Sequence, residues 1–188
     1  MRADARHRRQ LIINAATRTF RAAPDVSITL EGIAKEAGVG IATLYRHFPT
    51  RRDLRTACAL DLLDTLDAVI AEALESFDTE PVRHWEGLIC RMVDEGTGML
   101  DAALAEQHTG DIDPSLLTRL EQVIARFDEL LAKAARRGLV DASLDARVIA
   151  AELIAVTRPR HRAINELFPD VRERMVRHLL VAWRPQRA

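Results

Sequence analysis

Residues 27–54 read SITLEGIAKEAGVGIATLYRHFPTRRDL, and this stretch decides the fold of the chain. A short helix is expected after Thr29, whose hydroxyl is suited to capping a helix N-terminus, and Gly38 ends that helix. A second short helix follows over residues 41–48 and stops at Pro49. Two short helices around a turn of three to four residues with glycine are typical of a helix-turn-helix motif.

The second of these helices is expected to have an apolar face and a polar face. Ala34, Val39 and Leu44 would pack between the two helices. The outward stripe, with its hydroxyls, aromatic ring and cationic or hydrogen-bonding groups, suits a DNA groove and its phosphates. Helical hairpins of this kind also occur in proteins that bind no nucleic acid, so spacing alone leaves both interpretations open. The outward residues are Thr43, Tyr45, Arg46 and His47.

Basic and acidic side chains are segregated along the chain, although the formal net charge is only −1. Residues 1–56 carry 11 of the 27 basic side chains and 5 of the 28 acidic ones, a net charge of +6, and the remainder carries −7. A basic N-terminal segment followed by an acidic remainder indicates that the N-terminal segment contacts a polyanion. A solvated basic surface that binds nothing has the same pattern, so the charge favours DNA only together with the helical hairpin.

The rest of the chain is predicted to be helical. Thr50 and Asp53 resemble a capping box at the start of a long helix that runs to about Glu75. Apolar residues recur at helical spacing between Pro114 and Gly138, the proline-start and glycine-stop pattern of a helix. No segment shows the sustained alternation of a strand, so the fold class is predicted to be all-α.

Length and composition exclude several protein classes. A chain of 188 residues with 48% apolar and 29% charged side chains is an ordinary globular sequence that needs no disulfide or metal. No apolar run reaches the ~18 residues of a membrane helix, and no signal peptide is recognised. Cys58 and Cys90 each fall within an apolar stripe, so we expect buried, inert thiols in a reduced cytoplasmic protein.

From Ile12 to Leu54 the sequence resembles the TetR family of bacterial repressors. The resemblance rests on the A-x-x-x-F spacing in the first helix, on IAKEAGVGIATLYRHF and on the P-T-R-R-D-L that follows. It implies a three-helix DNA-binding head over residues 1–52. A long fourth helix would join this head to an all-helical effector-binding and dimerisation body over residues 53–188, with about nine helices in all.

The resemblance also assigns residues of the head to DNA. Thr29 falls at the phosphate-contacting start of the second helix, whereas Phe48 matches a core position. Gly40 stands where the family often has a serine cap, which costs only a few tenths of a kcal/mol. The apolar groove residues would contact thymine methyl groups rather than form hydrogen bonds. The groove-facing residues are Ile41, Ala42, Thr43 and Tyr45, and the other phosphate contacts are Arg46, His47 and Arg51.

The expected partners are double-stranded operator DNA and a second copy of the chain. Two heads are needed to read the half-sites of a near-palindrome. The dimer interface is expected on the last two long helices, around residues 144–156 and 171–183, because the final helix has a wide apolar face. A basic arm before the first helix would reach an adjacent minor groove. That arm consists of Arg2, Arg6, Arg8 and Arg9. The apolar face of the final helix consists of Met175, Val176, Leu179, Leu180 and Trp183.

A small-molecule effector is a further expectation that the resemblance implies. Its pocket would lie inside the body, although each lining residue also fits an ordinary core position. The thioethers of two methionines suit irregular apolar ligands. The predicted lining is Trp85, Ile89, Met92, Met99, Leu100, Leu120, Ile124, Phe127 and Ile154.

Three functions from different classes remain open at this stage. The first is a dimeric repressor that a small ligand releases from its operator. The second is a ligand-independent DNA-binding dimer controlled by a protein partner or by its abundance. The third, an enzyme with an accessory DNA-binding head, lacks any recognisable catalytic motif, and neither a cofactor nor a metal site is predicted. The scattered histidines, without metal-ligand spacing, are His84, His108, His161 and His178, and the paired loop acids are Asp94, Glu95, Asp111 and Asp113.

Overall fold

The computed structural model describes residues 2–22, 28–105, 112–160 and 162–185, and every regular element in these ranges is an α-helix. The predicted all-α class is confirmed. The described residues form ten helices rather than about nine, because Pro159 and Pro169 bracket a helix too short to show an apolar period. Asp25, His108, Asp111 and His161 lie outside the described residues. The helices are α1 Arg2–Ala22, α2 Leu30–Glu36, α3 Ile41–His47, α4 Arg51–Ser76, α5 Pro81–Asp94, α6 Met99–Ala105, α7 Pro114–Arg136, α8 Ala146–Thr157, α9 Arg162–Leu167 and α10 Val171–Ala182.

The long helix α4 joins the head to the body. Its N-terminus has the predicted capping box, in which the Thr50 hydroxyl oxygen accepts a hydrogen bond from the Asp53 N–H at 3.1 Å. The Asp53 carboxylate in turn accepts one from the Thr50 N–H at 2.9 Å. The first turns of α4 pack on α1, where the buried Cys58 sulfur lies 3.8 Å from the Ile13 carbonyl oxygen. The head is therefore packed directly on the helix that continues into the body.

The helix α7 packs along α4 and forms the centre of the body. It begins after an Asp113 cap and ends where Gly138 adopts a φ of +69°, as the proline and glycine positions predicted. Arg119 on α7 forms ion pairs with Asp64 at 2.7 Å and with Asp67 at 3.0 Å, both on α4. Charged as well as apolar contacts thus fix the register of these two helices.

An aromatic cluster holds α5, α7 and the C-terminal end of the chain together. The rings of Trp85 and Phe127 are stacked with their centroids 6.3 Å apart, and Trp183 meets Trp85 edge-on, also at 6.3 Å. The indole N–H of Trp183 donates to the Glu152 carboxylate on α8 at 2.6 Å. Trp183 and Val176 are buried within one chain, so only part of the predicted apolar face of the last helix is left for a partner.

The predicted flexible basic arm is wrong. The helix α1 begins at Arg2, so Arg6, Arg8 and Arg9 lie within its first turns rather than before it. Asp4 supports this early start, because an acid in the first turn interacts favourably with the helix dipole. Asp4 also forms an ion pair with Arg8 at 3.0 Å, one turn along the helix.

The two cysteines differ in their surroundings. Cys58 is buried as expected, and burial raises the pKa of its thiol to about 12. The expectation of a buried Cys90 is wrong, because this residue lies on the exposed side of α5. Within the described ranges, no helix combines the length and the apolar content needed to cross a membrane.

Candidate DNA interface

The turn between α2 and α3 is closed by backbone hydrogen bonds. Gly38 adopts a φ of +67°, a left-handed conformation that favours glycine. The Val39 N–H donates to the Ala34 carbonyl oxygen at 3.0 Å, and the Gly38 N–H donates to that of Lys35 at 3.2 Å. This pair of bonds is a Schellman motif, which ends α2 sharply. The chain then enters α3 after only four residues, as the helix-turn-helix interpretation required.

The helix α3 has a buried side and an exposed side. Leu44 is fully buried between the helices of the head, together with Ala34, and Phe48 packs just beyond the end of α3. Tyr45 is 44% exposed and Ile41 is 36% exposed, large values for side chains with so much apolar surface. The predicted groove-facing residues are exposed except for half-buried Thr43, and Arg46 is exposed beside them.

The two helix caps at this surface differ in what they leave available for a ligand. The Thr29 hydroxyl oxygen accepts a hydrogen bond from the Gly32 N–H at 3.1 Å and so caps α2. A hydroxyl that accepts one hydrogen bond still has its own proton to donate, so exposed Thr29 keeps a donor for a phosphate oxygen. Gly40 caps α3 without a side-chain hydrogen bond, as its lack of a side chain requires.

The three predicted phosphate contacts near the end of α3 are not equivalent. Arg46 is exposed, and His47 is half-buried with its ring 6.4 Å from that of Phe48. Arg51 is turned towards the head: its Nη1 donates to the Ile28 carbonyl oxygen at 2.6 Å, and its guanidinium lies 6.0 Å from the centre of the Phe20 ring. Arg46 is therefore better placed than Arg51 to pair with a phosphate.

The sequence did not predict that Arg9 would lie beside the helix-turn-helix. Its guanidinium is 5.1 Å from the centre of the Phe48 ring, just beyond the end of α3. Sequence reasoning placed Arg9 in an arm because the start of α1 was set too late. The acid at position 4, followed by a helix-compatible run, is the signal that could have indicated the earlier start.

The predicted effector residues occupy the core of the body. Seven of the nine are buried, whereas Leu120 and Ile154 are half-buried. Trp85 lies at the edge of a cleft of about 230 Å³, and Met99 lies at the edge of a different one of about 240 Å³. These two clefts do not bring the nine residues together around one space. No group of three potential metal ligands occurs among the described residues.

Known proteins match both the head and the whole chain. Residues 12–58 match the bacterial regulatory proteins of the tetR family. The nucleoid occlusion factor SlmA of Marinobacter nauticus is 27% identical over 147 residues, 77% of this chain and 74% of that protein. The TetR transcription regulatory protein of Mycobacterium vanbaalenii is 29% identical, with 98% of this chain and 99% of that one covered at a TM-score of 0.61.

A third match concerns the fold alone. The TetR-like transcriptional regulator LfrR of Mycobacterium smegmatis, solved in complex with proflavine, is 22% identical and covers 97% of this chain and 99% of its own at a TM-score of 0.65. The matched segment, residues 12–58, contains the complete helix-turn-helix and the N-terminal turns of α4. Together with the all-helical body, these similarities make the chain a DNA-binding regulator whose head matches the tetR family.

Proposed function

We propose that this protein is a homodimeric transcriptional repressor that binds a near-palindromic operator through α3 and leaves it when a small effector binds. The observation that carries the DNA-binding part is the exposed face of α3, where Tyr45 and Arg46 project from the helix that follows the tight turn. A short helix presented in this way fits the major groove.

The exposed residues of the head divide into two proposed roles. Tyr45, with Thr43 and the apolar Ile41 and Ala42, would face base edges and confer sequence preference. Arg46 would pair with phosphates, while His47 and Thr29 would donate single hydrogen bonds to phosphate oxygens. Arg51, which is bound to the head itself, would mainly position the start of α4 and add at most a secondary phosphate contact.

The dimer interface is proposed on the C-terminal helices. Large apolar side chains are exposed along α8, α9 and α10, and their cover by a second copy would remove this apolar surface from water. Dimerisation there would leave α3 of each copy available for DNA. The exposed apolar residues of this region are Val148, Ile164, Leu167, Phe168, Met175 and Val181.

Release by an effector would begin in the core of the body. LfrR, which shares the fold, was solved in complex with proflavine, and this likeness supports the proposal of a small-molecule ligand for the present chain. In this chain an effector would enter beside Trp85 and separate its stacked contact with Phe127. The movement would be transmitted by α4, which packs on both the head and the body. The proposed boundary between residues 1–52 and 53–188 falls inside this helix. An effector must prefer the released state, since equal affinity for both states shifts nothing.

The packing of the body favours a second candidate function. Trp85, Phe127 and Trp183 fill the space between α5, α7 and α10, so the predicted pocket is occupied by the protein's own side chains. A ligand-independent DNA-binding dimer, controlled by a protein partner or by its abundance, needs no such pocket.

Genome-wide footprinting with the purified protein tests the proposal. We expect protection of a few near-palindromic sites, and a dimer in sedimentation at micromolar concentration. A screen of small molecules for release from the best site then separates the two candidates, because only the ligand-responsive repressor is released. Protection without any sequence preference, or a monomer at this concentration, would contradict both.

A further inference from the structure

A cleft of about 240 Å³ lies where the head meets the body, between the end of α1, the turn after α5 and the segment from α8 to α10. Its lining includes Arg18, Arg21 and Arg172, and none of the described residues that line it is acidic. Arg18 forms an ion pair with Glu36 at 2.9 Å on the head side. The other two arginines make the cleft an unusual concentration of positive charge between packed helices.

Arg21, Arg160 and Arg172 form a cluster without a carboxylate partner among the described residues. The Nε–H groups of Arg160 and Arg172 are buried and donate no hydrogen bond. Burial and the positive charges of Arg160 and Arg21 lower the pKa of Arg172, which Asp94 only partly offsets. A buried donor without an acceptor costs about 1–3 kcal/mol, so two of them, together with mutual repulsion, favour the binding of an anion at this cluster.

The turn after α5 is shaped to hold Arg21 in this cluster. Gly96 adopts a φ of +80°, and a Cβ added there would lie 2.7 Å from Arg21 Nε and 2.9 Å from Arg21 Cδ. The aliphatic part of Arg21 therefore lies directly on the Gly96 backbone, which fixes the direction of the guanidinium. On the other side of the turn, a Cβ on Gly98 would collide with the Thr157 backbone, so α8 is held equally closely.

We propose that this cleft is a binding site for a phosphate group of a small molecule, either inorganic phosphate or a phosphate monoester. Planar guanidinium groups match phosphate oxygens in pairs. Arg21 and Arg172, the two lining arginines that Glu36 does not neutralise, balance the charge of a phosphate dianion, and Arg160 adds positive charge beside them. The volume is smaller than the roughly 300–1,000 Å³ of sites for drug-sized ligands, which indicates a small ligand. Because the cleft joins α1 to α8 and α10, the bound phosphate would fix the head against the body. The inference does not depend on the proposed operator, because it concerns binding without DNA.

Isothermal titration calorimetry with inorganic phosphate and with glycerol phosphate, in sodium chloride of matched ionic strength, tests the site. We expect one site per chain for the wild type and binding weakened by about tenfold or more in Arg172→Gln, which removes a charge-assisted contact from the cleft lining. Arg160→Gln should weaken binding less, because it removes only a nearby positive charge. Arg83→Gln is the matched control, because Arg83 is an exposed helix arginine paired with Glu80 at 2.8 Å. The two phosphate compounds distinguish a site for the free ion from one for an ester.

Thermal unfolding separates a binding role from a structural one. In chloride alone, Arg172→Gln should unfold at the same temperature as the wild type or at a higher one, because the substitution removes an unpaired, repelled charge. Phosphate should raise the Tm of the wild type and of Arg83→Gln but not that of Arg172→Gln. Equal affinities in all variants, or a wild type that binds phosphate no better than chloride, would overturn the proposal. A loss of DNA affinity in Arg172→Gln with unchanged phosphate binding would also overturn it and identify the cluster as a DNA contact.

Discussion

The Nη1 of Arg51 donates a hydrogen bond of 2.6 Å to the carbonyl oxygen of Ile28, which ties the first turn of α4 to the segment that leads into α2. Arg51 is thus a structural element of the head, although its place in the family pattern suggests a phosphate contact. Arg46 lies only five positions earlier and is exposed.

Arg51→Ala should therefore destabilise the protein more than Arg46→Ala does. The substitution leaves the Ile28 carbonyl without this donor and removes the contact with the Phe20 ring, a loss of about 1–3 kcal/mol in the free energy of unfolding. Urea denaturation of both variants measures the difference. If Arg46→Ala were the more destabilising change, the structural role assigned to Arg51 would be wrong.

The glycine in the turn after α5 gives a second prediction. Gly96→Ala should lower the free energy of unfolding by about 1–3 kcal/mol, because alanine is strained at a φ of +80° and its Cβ meets Arg21. Gly87→Ala is the matched control: Gly87 lies inside α5 with open space around the added Cβ, so the change should stabilise by about 1 kcal/mol. Chemical denaturation should move the two midpoints in opposite directions, and a parallel shift would contradict the geometry of the turn.

The capping box at the start of α4 gives a third prediction. Thr50→Ala removes the acceptor for the Asp53 N–H and should cost about 1 kcal/mol of stability. Thr118→Ala serves as control, because Thr118 is exposed within the first turns of α7 and its hydroxyl only donates to the Pro114 carbonyl oxygen at 2.9 Å. Thermal unfolding should show a lower Tm for Thr50→Ala alone. An unchanged Tm would mean that the head does not depend on this cap.

The two thiols should react at very different rates. At pH 8 the exposed Cys90 should react with an aromatic disulfide reagent in the folded protein, although partial burial and the nearby carboxylates of Asp94 and Glu86 raise its pKa and slow the reaction. Cys58 should stay unmodified until the protein unfolds, because burial raises its pKa to about 12 and only the thiolate is nucleophilic. Thiol titration before and after denaturant, with Cys90→Ser as control, should count one thiol and then two in the wild type. Two fast thiols in the folded wild type would contradict the packing of Cys58 on α1.

Sequence patterns predicted the parts of the fold that depend on local chemistry. The cap at Thr50, the start after Pro114 and the stop at Gly138 follow from single residues with strong local preferences, and the structure confirms them. The exposure of Cys90 and the inward direction of Arg51 depend on which helices pack nearby, and periodicity does not specify that.

The candidate sites divide in the same way. The exposed face of α3 could be predicted because the helix-turn-helix joins its two helices within a few residues. The interior of the body could not, since an apolar residue at helical spacing fits either a packed core or a pocket wall. In the structure the rings of Trp85, Phe127 and Trp183 form a packed core. The arginine cluster at the cleft unites residues more than a hundred positions apart, such as Arg21 and Arg172, and no local pattern indicates that proximity.

The central claim is that α3 reads sequence through Tyr45 and holds the DNA backbone through Arg46. The most direct test is a binding titration over a range of salt concentrations for the wild type, Tyr45→Ala and Arg46→Ala, on the footprinted operator and on random DNA. Tyr45→Ala should reduce the ratio of specific to non-specific affinity by about 1–3 kcal/mol and leave the salt slope unchanged. Arg46→Ala should weaken both DNAs alike and lower the slope by about one unit. A parallel loss on both DNAs in Tyr45→Ala, with discrimination abolished in Arg46→Ala, would contradict the account.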